Sequence, residues 1–453
     1  MSESNGAGRD RINLAALLAI LLGVVIITID ISLTSTAIPA IAQGLGASAA
    51  HTIRIINVYY LVVIAALLPL AALGEIHGHR RIFFAGLGVF TLGSLASGLA
   101  GSLPMLMAAR GLLGLGSAAV AATTPALIRT IYPPARLGRG LGLYAMSAGI
   151  ALTAGPTVAS AILAVVDWPW LFLLNAPVAL LAVLLALKGL PPTARNVRPF
   201  DTVSGLLCAA MFAGLLYAIA SMAHASWPVV LAAFAFSLAC GAGLQRREAG
   251  QAAPILSLDL FRIRLFTLSA ATSVCAFAIQ GLVFVVLPFL FHYKLGYSQV
   301  QAGFLITPWP ATLAFMTLVA PPLAERIPIG MLGSIGLGIV AVGLACLALL
   351  PPEAGVMDIG WRLILCGVGF GLFQSPNMMA LMSSAPHDRS GGAGGILAAS
   401  RLLGQSIGAA SVAFCLSTWP ARGIEAAIWL GAAFAVLGSG VSLMRIKAWG
   451  ARA

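Results

Sequence analysis

Apolar residues along this chain come in unbroken runs of roughly 17 to 25, each closed by charged residues or a Pro/Gly turn. Runs of that length predict membrane-spanning helices, because the chain rises 1.5 Å per helical residue and the hydrocarbon core is about 30 Å thick. The first six predicted spans are 13–42, 53–73, 82–101, 104–129, 140–165 and 170–188. Two more follow at 203–223 and 228–244, and the last six are 266–292, 299–323, 329–350, 361–384, 391–418 and 424–445. Two connections stand apart from the tight turns. Lys188 to Asp201 is rich in proline, and Gln245 to Leu265 contains a stretch, Ile255 to Arg264, with the pattern of an interfacial amphipathic segment.

The expected organisation is therefore an all-α integral membrane protein of fourteen helices in groups of six, two and six. A cytoplasmic N-terminus covers 1–12, a six-helix bundle 13–188, a cytoplasmic linker 189–202, two additional helices 203–244, a second linker 245–265, a second six-helix bundle 266–445, and a cytoplasmic C-terminus 446–453. The polar N-terminus is short and the first apolar run is too long for the core of a cleaved signal peptide, so the first helix is expected to remain.

Composition agrees with this pattern and removes other classes. With 60% hydrophobic and 8% charged residues, the 453-residue chain has too few charges for a water-facing surface, and too many apolar residues for disorder. The net charge of +12 is better read as a topology code than as a nucleic-acid surface, since no cluster of four basic residues occurs. With fourteen spans, nineteen Lys and Arg fall on the side of the termini. Only Arg54, Lys294, Arg362 and Arg422 fall on the other, and Arg110 and Arg401 lie within spans. Adding or dropping one helix would spoil that segregation. The six cysteines lie in apolar runs without CxxC spacing, and the six histidines sit in turns or at helix ends. Neither set suggests a metal or another cofactor. No nucleotide-binding P-loop occurs. An enzyme is not expected, and any transport would run on a gradient or passively.

The turn after the second span, Leu73-Gly-Glu75-Ile-His-Gly78-His-Arg80-Arg81, has a weaker counterpart after the tenth, Leu323-Ala-Glu325-Arg326-Ile-Pro-Ile-Gly330. Repeated halves of this kind are used by transporters whose substrate site lies near the midplane. Together with Ile29-Asp30-Ile-Ser32-Leu-Thr-Ser-Thr-Ala37-Ile-Pro39, Met107-Ala-Ala-Arg110-Gly, Gly155-Pro156, Trp168-Pro-Trp170-Leu-Phe172-Leu-Leu-Asn175, Gly371-Leu-Phe-Gln374-Ser-Pro376-Asn377 and Gly391 to Gln405, the chain resembles the major facilitator superfamily, and within it the fourteen-helix drug:proton antiporters. Ala71, Glu75 and Ile76 depart from the loop signature, and Ala151, Ala159 and Ser160 replace glycines expected in the fifth helix. The resemblance implies the major facilitator fold, a multi-pass protein of the bacterial inner membrane, and proton-coupled export of lipophilic, often cationic compounds. A narrow-specificity metabolite exporter is the alternative on the same scaffold. Its partners would be a small-molecule substrate, protons and the lipid bilayer, with no nucleic acid.

Asp30 is the only acid deep in any span, some 17 residues or roughly 26 Å from the start of the first helix. An ionisable group at that depth costs about 3 kcal/mol on insertion scales and points to function, although a structural hydrogen bond is the plainer reading. Arg110 is expected within reach of it as the proton-coupling partner, or else snorkelling to the interface. Asn57, Tyr60, Gln280, Thr307, Trp309, Gln374, Asn377, Arg401 and Gln405 are candidate cavity residues, each of a type that also serves as interhelical glue. Glu75, Gly78, Arg80, Arg81, Glu325 and Arg326 would gate at the cytoplasmic turns, and Gly155 and Pro156 would let the fifth helix pack closely and bend.

Overall fold

The computed structural model describes residues 13–133, 137–193, 199–222, 225–249, 254–256, 258–351, 353–385 and 390–449. All the regular structure among them is helical. In chain order the long helices are α1 (Leu14–Gly44), α2 (Arg54–His77), α3 (His79–Gly98), α4 (Leu103–Ile131), α5 (Leu137–Leu163), α6 (Trp170–Gly189, interrupted at Leu174), α7 (Thr202–Ser221) and α8 (Trp227–Glu248). They continue as α9 (Arg264–Phe289, with a π-helical turn Leu290–Lys294), α10 (two pieces, Gln299–Ile306 and Pro308–Arg326), α11 (Ile329–Ala348), α12 (Val356–Ser384), α13 (Ser390–Thr418) and α14 (Gly423–Trp449). Thirteen of these are long and apolar enough to cross a membrane, and the divided α10 is the one that is not among them.

Helix is the expected form for such runs, because a lipid-embedded backbone must satisfy its amides internally. The ends are tied by polar side chains. Asn13 accepts from the Ala15 and Ala16 amides at the start of α1, and its Nδ2 donates to the Gly189 carbonyl at 3.1 Å, which pins α1 to the end of α6. Asp201 caps α7 and pairs with Arg247 at the end of α8 at 2.8 Å. That guanidinium, with the Ser204 hydroxyl, holds the Asp201 carboxyl below the usual carboxylate range. Gly78, at φ +96°, makes the turn between α2 and α3, a conformation that side-chain-bearing residues rarely adopt.

α1 packs with α5 and α6, α4 with α2 and α3, and these form one bundle. α9 packs with α13 and α14, α11 with α12 and α14, and α10 with α12, forming a second. The bundles meet along two seams, α2 against α13 and α5 against α10, with α1 approaching α9 between them. α7 and α8 pair with each other, and α7 lies on both α2 and α13. Of all the candidate spans α9 is the most enclosed. A Cβ on Gly408 would sit 2.1 Å from the Ala278 carbonyl oxygen, so the α9 and α13 backbones touch.

Some boundaries differ from the sequence expectation. α14 continues past residue 445 to Trp449, because Arg445, counted among the loop cations, is 1% exposed and hydrogen-bonded inside the second bundle. α8 likewise carries Arg246 and Arg247 in its last turn. The segment expected to be amphipathic contains a 3₁₀ turn, Leu258–Arg262, whose Leu260 packs with Phe266 and Ile396.

Candidate functional site

Asp30 and Arg110 meet inside the first bundle. The Arg110 Nη1 lies 2.7 Å from Asp30 Oδ2, and the side chains of both are 1% exposed. Asn175, in α6, donates from Nδ2 to the other carboxylate oxygen at 3.0 Å. The guanidinium carbon stands 4.7 Å from the centre of the Tyr59 ring and 5.4 Å from that of Phe172. The ion pair joins α1 and α4, the Asn175 hydrogen bond adds α6, and cation–π contacts with Tyr59 and Phe172 add α2 and a second hold on α6. The pair is neutral as a unit. Removing either partner leaves the other charge buried, a change that costs about 3–5 kcal/mol. Proton uptake by Asp30 would remove the charge that holds Arg110, so this cluster is chemically fitted to couple protonation to the packing of four helices.

Beside it, between the bundles, lies a cleft lined by Ile31, Ser32 and Ser35 of α1, Tyr60 of α2, Leu152 of α5, Gln280, Gly281, Phe284 and Val285 of α9, and Gln405 of α13. Its free space is about 20 Å³, room for one water and for no organic substrate, so the bundles are drawn together here. Gln405 Nε2 donates to Gln280 Oε1 at 2.9 Å, while Gln405 Oε1 is buried without a partner. Thr157 of α5 and Thr307 of α10 share a 2.7 Å hydroxyl contact across the second seam. Close by, a Cβ on Gly303 would fall 1.7 Å from Ser160 Oγ and 2.8 Å from the Pro156 carbonyl oxygen.

Of the residues proposed from sequence to line the cavity, Tyr60, Gln280 and Gln405 line this cleft and Thr307 bridges the adjoining seam. Asn57 and Gln374 are partly buried, each with a buried carbonyl oxygen that has no partner. Arg401 is partly buried on α13, one turn from Gln405. Trp309 and Asn377 are placed elsewhere. Trp309 is fully buried within the second bundle, its ring 6.2 Å from that of Phe370. Asn377 donates to Ser273 Oγ at 2.7 Å and accepts from Arg445, because the second bundle must satisfy a buried guanidinium.

Gly155 abuts Ser32, whose Cβ would be 2.3 Å from a Cβ at 155, so the small residue permits the close α1–α5 contact. At the α2–α3 turn Arg81 is exposed, while Arg80 is partly buried, with its guanidinium carbon 5.6 Å from the Phe84 ring centre and its amide donating to Thr193 Oγ1 in the segment after α6. Glu75 is partly buried at the end of α2. Arg326 is exposed at the end of α10, and the Glu325 side chain lies outside the described residues. Sequence reading missed Asn175, Tyr59 and Phe172 as partners of the ion pair. Two of the three stand in the Trp168 to Asn175 stretch that carried part of the family resemblance, which was the available signal.

The chain matches the family model described as Major Facilitator Superfamily over residues 20–409. It is 42% identical to an Escherichia coli protein described as an uncharacterized transporter, YebQ, over 95% of each chain. Identity is 30% with the Mycobacterium tuberculosis multidrug resistance protein Stp, over 92% of this chain and 78% of that one, and 26% with the riboflavin transporter RibZ of Clostridioides difficile, over 87% and 86%. Among solved structures, a peptide transporter POT bound to sulfate superposes with a TM-score of 0.73 at 14% identity, covering 95% of this chain and 94% of that one.

Proposed function

The chain belongs to the major facilitator superfamily, and from that premise we propose that it is a proton-coupled exporter of lipophilic compounds that works by alternating access, with Asp30 as its proton carrier. The observation that carries this reading is the fully enclosed Asp30–Arg110–Asn175 cluster, which links α1, α4 and α6 beside the cleft between the bundles. With Asp30 ionised, Arg110 is held against it and against Tyr59 and Phe172. With Asp30 protonated, the strongest of those restraints is gone and α4 is free to shift against α1. Proton binding from one side and release to the other would then drive the two arrangements in turn. Arg110 acts as the positioning partner. The α2–α3 turn, with Glu75, Gly78, Arg80 and Arg81, and the end of α10, with Glu325 and Arg326, form the cytoplasmic gate, and Gly155 and Pro156 act at the α5 seam.

The arrangement proposed for the chain is six, two and six helices with both termini cytoplasmic, in the inner membrane of a bacterium. Export of several unrelated compounds is supported by the relative named as a multidrug resistance protein, and a single metabolite by the one named as a riboflavin transporter. The cationic charge that the family resemblance implies for many substrates finds no free acid here, because Arg110 already neutralises Asp30.

The test is uptake into inverted proteoliposomes carrying an imposed pH gradient, for a panel of dyes and riboflavin, with wild type and Asp30→Asn. Gradient-driven accumulation that Asp30→Asn abolishes is expected. Accumulation of one compound alone would favour the metabolite reading. Flux untouched by Asp30→Asn removes Asp30 from the mechanism, and no gradient-driven flux of any compound ends the proposal.

A further inference from the structure

Arg110, Arg401 and Arg445 all lie within membrane-length helices, and the structure treats them differently. Arg110 has a carboxylate and two aromatic faces. Arg445, without an acid, is surrounded by oxygen acceptors from Asn377, Ser269 and Ser442. Arg401 of α13 has no hydrogen bond and no ion pair to any described residue, and its Nε, like those of Arg110 and Arg445, is buried without a partner. It stands one helical turn from Gln405 on the same face of α13, the helix that packs against α2 at the seam. Tyr60 and Gln405 both line the cleft. A half-buried guanidinium beside a membrane-depth cleft, left without acceptors by a bundle that supplies them to Arg445, is a cation awaiting a ligand.

We propose that Arg401 is an anion-binding residue of the substrate path, and that the compounds this protein moves carry an acidic group, carboxylate or sulfonate, attached to an apolar or aromatic body. With Asp30 and Arg110 cancelling each other, the net charge at the cleft is that of Arg401. The Tyr60 hydroxyl and the Gln405 and Gln280 amides supply further polar contacts, and Ile31, Leu152, Phe284 and Val285 supply the apolar wall. A guanidinium offers a planar fork that fits a carboxylate or sulfonate with two parallel bonds. This assignment deepens the exporter reading by giving the charge class of its substrate, and it rests on that reading only for the direction of movement.

Equilibrium binding of fluorescein, an anionic dye, and ethidium, a cationic one, to the purified full-length protein without any gradient tests it by fluorescence anisotropy. Fluorescein is expected to bind more tightly than ethidium. Arg401→Gln should weaken fluorescein by about tenfold or more, Arg401→Lys by less, and neither should weaken ethidium. Unchanged fluorescein affinity in Arg401→Gln, or tighter ethidium binding to wild type, overturns the proposal. If Arg401→Gln does not elute as a folded species, competition on wild type decides. Naphthalene sulfonate should displace fluorescein at about one tenth the concentration of the neutral naphthalene sulfonamide, and equal potency overturns the assignment. Transport and binding measured on the same wild-type preparation separate the two ideas. No gradient-driven transport by wild type, with charge-selective binding present, would sink proton coupling alone, and gradient-driven transport without charge-selective binding would sink the Arg401 assignment alone.

Discussion

The Asp30–Arg110 contact has its energetic meaning in what happens when it is half removed. A buried ion pair adds little over an apolar pair of the same shape, but a buried charge without its partner is expensive. Arg110→Gln should therefore lower the apparent melting temperature of the detergent-solubilised protein more than the double variant Asp30→Asn/Arg110→Gln, in which no charge is stranded. A double variant as unstable as the single one would mean that the contact matters for shape and not for charge. Asn175→Ala should fall between wild type and Arg110→Gln, since it removes one neutral donor at 3.0 Å and leaves the ion pair. At this scale the sequence was informative wherever a charge interrupted an apolar run. Asp30 and Arg110 were legible for that reason. Asn175 was not, since a neutral polar residue near a helix start resembles any interfacial residue. Arg445 read as a loop cation because it lies near the chain end, and nothing local reveals that Ser269, Asn377 and Ser442 wait for it on α9, α12 and α14.

Among the elements, α5 and α10 show how a seam between bundles is built and how it can be tested. Pro308 and Pro310 take two amide donors out of α10, and the helix divides at Thr307, whose own amide bonds back only to Phe304 at 3.2 Å. The break sets the Thr307 hydroxyl 2.7 Å from that of Thr157 and lays Gly303 against Pro156 and Ser160. If this seam separates during transport, Thr157→Cys/Thr307→Cys, made with the native cysteines replaced, should cross-link under mild oxidation. The cross-link should stop substrate flux, and reductant should restore it. Full flux in the cross-linked protein would show that the seam stays closed throughout the cycle. Gly303→Leu should stop flux without any oxidant, because the Pro156 carbonyl is backbone and cannot move aside for a side chain. Pro308 and Pro310 stand in the sequence, but the expected span 299–323 runs through them unbroken, since hydropathy alone does not register a missing amide donor. The helix ends were also hard to read, since hydropathy marks where a helix enters water and not where its hydrogen bonds stop. α14 runs on to Trp449 for that reason.

Across the whole molecule, parity turns on α10. Among the described residues thirteen helices meet the length and hydropathy needed to cross a membrane, which alone would leave the termini on opposite faces. The two pieces of α10 hold 8 and 19 residues, about 12 Å and 28 Å of helix, enough together to span a hydrocarbon core of about 30 Å. Counting it as a crossing makes fourteen and puts the termini together, and the charges favour that count. With Arg445 withdrawn as a buried residue, eighteen basic residues still fall on the side of the termini against four on the other. Moving α10 out of the membrane would exchange the sides of every later loop, bringing Arg362 and Arg422 to the basic side and sending Arg389 away from it. Reporter fusions after Ile327 and after the C-terminal residue decide the matter. A fluorescent protein should light up at both positions, and alkaline phosphatase should be silent at both. Phosphatase activity after Ile327 would mean that α10 does not cross, and the two-bundle arrangement about the Asp30 cleft would then lose the helix that closes its α5 seam.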